Sequence, residues 1–219
     1  LYYALVARDL LEMQPRASAK QSHGRRGELE VNVVRAIGVA YSNLNRLKAA
    51  QLAFQCAQRL DDARERAADW APHFSRDLLT VLYKAPWLRL SSVDRIVSHA
   101  EKTTRNQMSD AFRLLMYVKR ADCLTAFGRP ADARRQLDSL GPIAQIGSEI
   151  GPLHQAIFMT GYLKVAVKEG DQAEASHWGG QIMQLATDAG LKRHIRSAIG
   201  LLKQGGISDL QQSTTPLQE

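Results

Sequence analysis

Only two cysteines occur in the 219 residues, Cys56 and Cys123. They are too few for a disulfide framework, and without C-x-x-C spacing they build no zinc site. Each sits beside an apolar residue on a helical stretch and is expected as a small buried side chain, which suits a reducing cytoplasm. The histidines (His23, His73, His99, His154, His177 and His194) recur at no ligand spacing, so no metal is expected. Long apolar runs are also missing. Stretches such as Ile37–Tyr41 and Ile157–Met159 are only a few residues long, whereas a membrane helix needs about 20 such residues. No window alternates β-branched and polar residues, so no strand is expected.

The signatures of nucleotide, dinucleotide, serine-hydrolase and zinc-protease chemistry are absent as well. No nucleophile, base and orienter are paired by their spacing, so the chain reads as a non-enzyme without a cofactor. The nearest resemblance to a phosphate cradle, Gly147 to Pro152, falls where a connection between helices is due. Asp61 and Asp62 close a helix and are expected to face solvent.

What is abundant is helix-forming sequence with a basic surplus. Lys and Arg number 29 against 22 acids, a formal charge of +7. Between Lys84 and Arg120 eight bases meet three acids, and the last helical stretch adds Lys192, Arg193, Arg196 and Lys203. Such patches attract nucleic acid or acidic partners. No aromatic platform or base-reading motif interleaves them, so a solvated helix face is the plainer reading.

The residues Val34-x-x-Ile37-Gly38-x-x-Tyr41, Asn45 and Ala50-x-x-x-Phe54-x-x-Ala57 form one helix-turn-helix unit. Gly38 and Ala50 clear space where two helices cross closely, and Tyr41 and Phe54 fill the gap between units. The turn positions Asn45, Trp87, Gly128 and Gly170 are spaced by 42, 41 and 42 residues. Ala133-x-x-x-Leu137-x-x-Leu140 repeats the Ala50, Phe54 and Ala57 spacing. After Gly170 the next large residue is Trp178, beside Gly179 and Gly180, so packing there is expected to differ. The expected fold is all-α, a solenoid of about four units.

Helices are expected over 1–13, 28–44, 47–69, 72–84, 91–103, 107–127, 130–141, 152–168, 171–189 and 191–204. Ser91 and Asp94 read as a capping box, and Pro130 as a first-turn proline. Residues 1–14 read as a helix left from a preceding unit, 15–27 as a basic flexible linker, 28–205 as the repeat domain and 206–219 as a disordered tail. The chain looks like a piece excised from something longer.

In stacked helix pairs the first helix of each pair lines the inner wall, so its polar residues have access to a ligand. These are Asn32, Arg35, Ser42 and Asn43 in the best unit, Arg113, Lys119 and Arg120 in the third, and Lys164 and Lys168 in the fourth. Arg supplies a bidentate fork and Asn a paired amide donor and acceptor. A wall so composed prefers an acidic peptide or a free C-terminus.

The stretch from Val34 to Ala57, echoed from Tyr117 to Leu140, resembles the tetratricopeptide repeat, whose period is about 34 residues. With its longer units the chain looks like the repeats that form the C-terminal sensor half of bacterial helix-turn-helix transcription regulators. That resemblance implies a right-handed superhelix of antiparallel helix pairs that binds a protein or peptide, or serves as an oligomerisation domain. It implies a homodimer through the terminal units, DNA contact only through a domain outside this chain, and a cytoplasmic setting. An assembly adaptor or co-chaperone that holds an acidic segment is the alternative, and direct nucleic-acid binding through the basic helices is a third reading. The ligand, the direction of regulation and the stoichiometry are not written in these residues.

Overall fold

The computed structural model of this chain describes residues 22–62, 71–85, 87, 89–103, 109–141 and 150–207. The expected helix over 1–13, most of the expected linker, the end of the 47–69 helix, the first half of the Gly147 to Pro152 segment and the tail from 208 onward lie outside these residues. The described elements are α1 (Ser22–Asn43), α2 (Leu47–Asp62), α3 (Ala71–Leu82), α4 (Leu90–Thr103), α5 (Asp110–Ala126), α6 (Pro130–Asp138), α7 (Pro152–Glu169), α8 (Gln172–Asp188) and α9 (Lys192–Gln204). No strand occurs among the described residues.

Some helix ends differ from expectation for local reasons. The first helix begins at Ser22 rather than Glu28, so the backbone over 22–27 is helical and not linker. Two glycines there cost only about 1 kcal/mol each, and the nearest true breaker is Pro15. Helix α4 begins at Leu90, with the N–H groups of Ser92 and Val93 both directed at the Arg89 carbonyl. Ser91 therefore lies inside the first turn and is not the cap. Helix α5 starts three residues later than expected, behind Ser109, whose hydroxyl oxygen accepts from the Phe112 N–H at 3.3 Å.

The repeated turns share one hydrogen-bond pattern. Asn45, Gly128 and Gly170 all have left-handed backbone, with φ of 56°, 83° and 77°. In each turn the following N–H (Arg46, Arg129, Asp171) reaches back five positions, to the carbonyls of Tyr41, Leu124 and Ala166 respectively. This is a Schellman end, which satisfies helix carbonyls that otherwise lack partners. The next helix starts one residue later, at Leu47, Pro130 or Gln172. Trp87 has no such backbone; instead its indole Nε1–H donates to Gln51 Oε1 at 3.0 Å and its ring packs on the α2–α3 cluster. A side-chain tie thus stands in for the glycine turn. Gly170→Ala should cost about 1–2 kcal/mol, the penalty of left-handed backbone for an L side chain, read as a lowered urea midpoint.

The chain divides into two compact units, the first ending at Met108 and the second beginning at Ser109. In the first, α1 packs on α2, α2 on α3 and α3 on α4, with a lighter contact of α1 on α3. Gly38 lies so close to the Phe54 ring that an added Cβ would sit 2.6 Å from it. Ala50 is fully buried in one cluster with Leu47, Phe54, Leu78, Val81 and Ala85. Val31, Ala57 and Phe74 form a second cluster. Asp61 is buried rather than solvent-facing, because it sits on the side of α2 that continues the Phe54 and Ala57 stripe.

In the second unit α5 packs on α6, both pack on α7, and α7 and α8 pack on each other and on α9. Leu137 of α6 fills the space left by Gly161 of α7, where a Cβ would lie 3.0 Å from it. Gly179 does the same for Leu202 of α9, at 2.5 Å. The Trp178-Gly179-Gly180 departure from the repeat thus has a packing cause: Gly179 receives α9, and Trp178 stacks on Tyr162 with ring centroids 4.7 Å apart. Leu163, Ala166, Ala175, Ile182, Ala198 and Leu202 form the core there.

Candidate functional site

The second unit brings together two of the expected ligand-facing cations. Lys119 of α5 donates to Asp122 Oδ2 at 3.0 Å, and Lys164 of α7 donates to Asp122 Oδ1 at 2.7 Å. The Asp122 side chain is only 1% exposed, whereas the two lysines are 23% and 21% exposed. Asp122 lies on α5 one turn beyond Lys119, the i,i+3 spacing at which side chains meet. Lys164 stands 42 residues beyond Asp122, one repeat period. Burial works hardest against the Asp122 charge, yet the attraction and hydrogen bonds of Lys119 and Lys164 together outweigh it and hold the carboxyl below its ordinary range. A buried anion thereby fixes two long cationic side chains on neighbouring helices.

The positive field extends to α9. His194 is held below its ordinary value by burial and by the Arg193 and Lys119 charges. Arg193 and Lys168, on α9 and the last turn of α7, are exposed. Arg120, half-buried on α5, donates to the Gln136 side chain of α6. Arg113 is more exposed, 3.9 Å from Asp110.

In the first unit Arg35 Nε donates to Asp77 Oδ2 at 2.7 Å, and Arg76 Nη2 to Asp77 Oδ1 at 2.9 Å. His73, one turn before Asp77, is held below its ordinary value by burial and by Arg76 and Arg35. Asn32 and Ser42 are half-buried and Asn43 is exposed; the Ser42 carbonyl accepts from the Asn45 N–H in the turn. Arg35 therefore ties α1 to α3, while Asn43 stays open.

Several polar residues went unforeseen. Arg134 of α6 donates to Glu169 at 2.5 Å and to Glu174 at 2.5 and 2.6 Å. Glu174 also accepts from the Trp178 indole at 3.2 Å, and Asp138 accepts from the Tyr162 hydroxyl at 2.8 Å. Burial and Asp138 push the Tyr162 phenol above its usual range. A usable signal did exist: Arg35 and Asp77, like Asp122 and Lys164, are opposite charges at matching positions one period apart.

The two cysteines differ. Cys123 is buried and its thiol is pushed up to about 12, first by desolvation and then by the neighbouring Asp122 charge. Cys56 is exposed, against expectation, because it falls on the outer stripe of α2 with Lys48 and Leu52. The thiolate is the reactive form, so a thiol reagent should label Cys56 in the native chain and Cys123 only in denaturant, as peptide mass mapping would read. Among the described residues no three or more His, Cys, Asp or Glu side chains group as metal ligands, and no helix is long and apolar enough to cross a membrane. No family model, no curated protein and no solved structure matches this chain.

Proposed function

We propose that this chain is a non-enzymatic partner-binding scaffold of stacked helix pairs, wound as a tetratricopeptide-like superhelix, whose α5–α7 wall receives an acidic protein or peptide segment. The observation that carries this reading is the Lys119–Asp122–Lys164 group. A buried carboxylate that clamps two lysines from successive first helices orders their long side chains in advance, so a partner does not have to. Exposed Lys168 and Arg193 enlarge the same positive field, which steers anions toward it. The turns at Asn45, Gly128 and Gly170, each followed one residue later by the next helix with the same hydrogen-bond pattern, support the helix-pair repeat. In the setting that the resemblance implies, such a wall is the sensing or oligomerisation surface of a transcription regulator.

The test uses a fluorescein-labelled Asp- and Glu-rich peptide with a free C-terminus, titrated with the full chain and read by anisotropy. Binding should weaken as salt rises. Lys168→Glu with Arg193→Glu should weaken it by about tenfold or more while leaving the helical circular dichroism unchanged. Equal affinity in the charge-reversed variant would contradict the proposal. So would preference for generic duplex DNA over the acidic peptide at matched salt.

A further inference from the structure

Helix α9 brings an imidazole to the lysines of the second unit. His194, Ala198 and Leu202 follow one another every four residues, which on a helix makes a single stripe. Ala198 and Leu202 are fully buried in one core with Leu163 and Ala166 of α7 and Ile182 of α8. The stripe therefore faces inward, and His194 at its start is half-buried while its neighbours Lys192 and Arg193 are exposed. Helix α9 holds no acid between Lys192 and Gln204 that could balance these cations.

The charges that reach the ring are Arg193 of α9 itself and Lys119 of α5, and both oppose its protonation, as burial does. Helix α9 packs on α7 and α8, but Lys164, Lys168 and Glu169 of the one and Glu174, His177 and Asp188 of the other do not shift it. His73 in the first unit is placed differently, because Asp77 stands among its arginines and favours the charged ring. No carboxylate among the described residues does this for His194. Lys119 is the residue that Asp122 holds at 3.0 Å, with Lys164 at 2.7 Å on the other carboxylate oxygen. An anion laid against these lysines thus arrives beside the imidazole and supplies the opposite charge that the fold withholds.

We propose that the acidic segment received by the α5–α7 wall also touches His194 and is held more tightly once that ring is protonated. This inference rests on the acidic-partner reading and adds its regulation. An anion beside the ring raises the pKa in the complex above that of the free chain. Binding then takes up a proton, so affinity climbs as pH falls through the value in the complex and levels off below the value in the free chain. The test titrates a rhodamine-labelled Asp- and Glu-rich peptide with the full chain at constant ionic strength, between about pH 8 and about pH 5.5, where carboxylates of pKa about 4 stay ionised. Affinity should rise about three- to tenfold over that range, since one unit of pKa is tenfold in binding, and His194→Gln should remove the rise. In the unaltered chain the His194 ring, followed by NMR, should titrate at higher pH when the peptide is saturating. A flat affinity profile, a rise that survives His194→Gln, or a ring pKa that the peptide does not move would overturn the inference and leave the acidic-partner reading standing. Absence of binding at every pH would sink that reading and this inference with it.

Discussion

Exchanging Lys119 and Lys164 together for methionine should lower the unfolding free energy by about 3–5 kcal/mol at neutral pH, because it leaves the Asp122 carboxylate buried without compensation. Urea denaturation followed by circular dichroism reads the loss. The pH dependence identifies its origin. With both lysines present the folded Asp122 pKa lies below its ordinary value. The stabilisation from this group is therefore complete above the ordinary carboxylate range and is lost as pH falls through the depressed folded value. Without the lysines burial acts alone and raises the folded pKa, so the sign reverses and the variant regains stability as pH falls and Asp122 takes up a proton. Adding Asp122→Asn to the double variant should recover part of the loss at neutral pH and flatten the pH profile. A loss that stays constant with pH would mean that the methionines act through packing.

Phe54→Ala should cost about 3–5 kcal/mol, the usual result of emptying a fully packed aromatic site. Phe54 is 2% exposed and joins Ala50, Leu47 and the α3 residues Leu78 and Val81, so its loss loosens both α1–α2 and α2–α3 contacts. Gly38→Ala tests the same crossing from the other side. Alanine improves helix propensity by about 1 kcal/mol, but its Cβ would stand 2.6 Å from the Phe54 ring. The clash should win, for a net destabilisation of about 1–2 kcal/mol in chemical denaturation. Combined with Phe54→Leu, which frees the ring's volume, Gly38→Ala should cost less than it does alone. Additive effects would show that the two residues are not in contact.

The crossing of Gly38 and Phe54 was legible in the sequence because a missing side chain opposite a large one, at the right offset from a turn, has few structural uses. The turns at Asn45, Gly128 and Gly170 were legible for a related reason: few residues accept left-handed backbone, and these three fall on a common period of about 42 residues. Trp87 shared the interval but not the conformation, since a side-chain tie to Gln51 can do the work of a backbone turn. The cations were legible as a set, but their tasks were not. Arg35, Lys119 and Lys164 were expected on a ligand-facing wall, and each is engaged with a buried or nearly buried aspartate of its own unit. Helical periodicity places a charge on a face; it does not say whether an opposite charge one period away will reach it. Cys56 and Asp61 were each assigned to the wrong side of α2, where a shift of one residue turns the helix by about 100° and exchanges inside for outside. The cluster of Arg134, Glu174, Trp178 and Tyr162 depends on how α6, α7 and α8 meet, and no local spacing encodes that.

The most direct measurement is amide hydrogen exchange of the full chain with and without a saturating Asp- and Glu-rich peptide. Added protection should concentrate in α5 and α7 around Lys119 and Lys164, with a weaker effect at the start of α9. An unchanged exchange map, or protection confined to the outer face of α2, would contradict the assignment of that wall to an acidic partner.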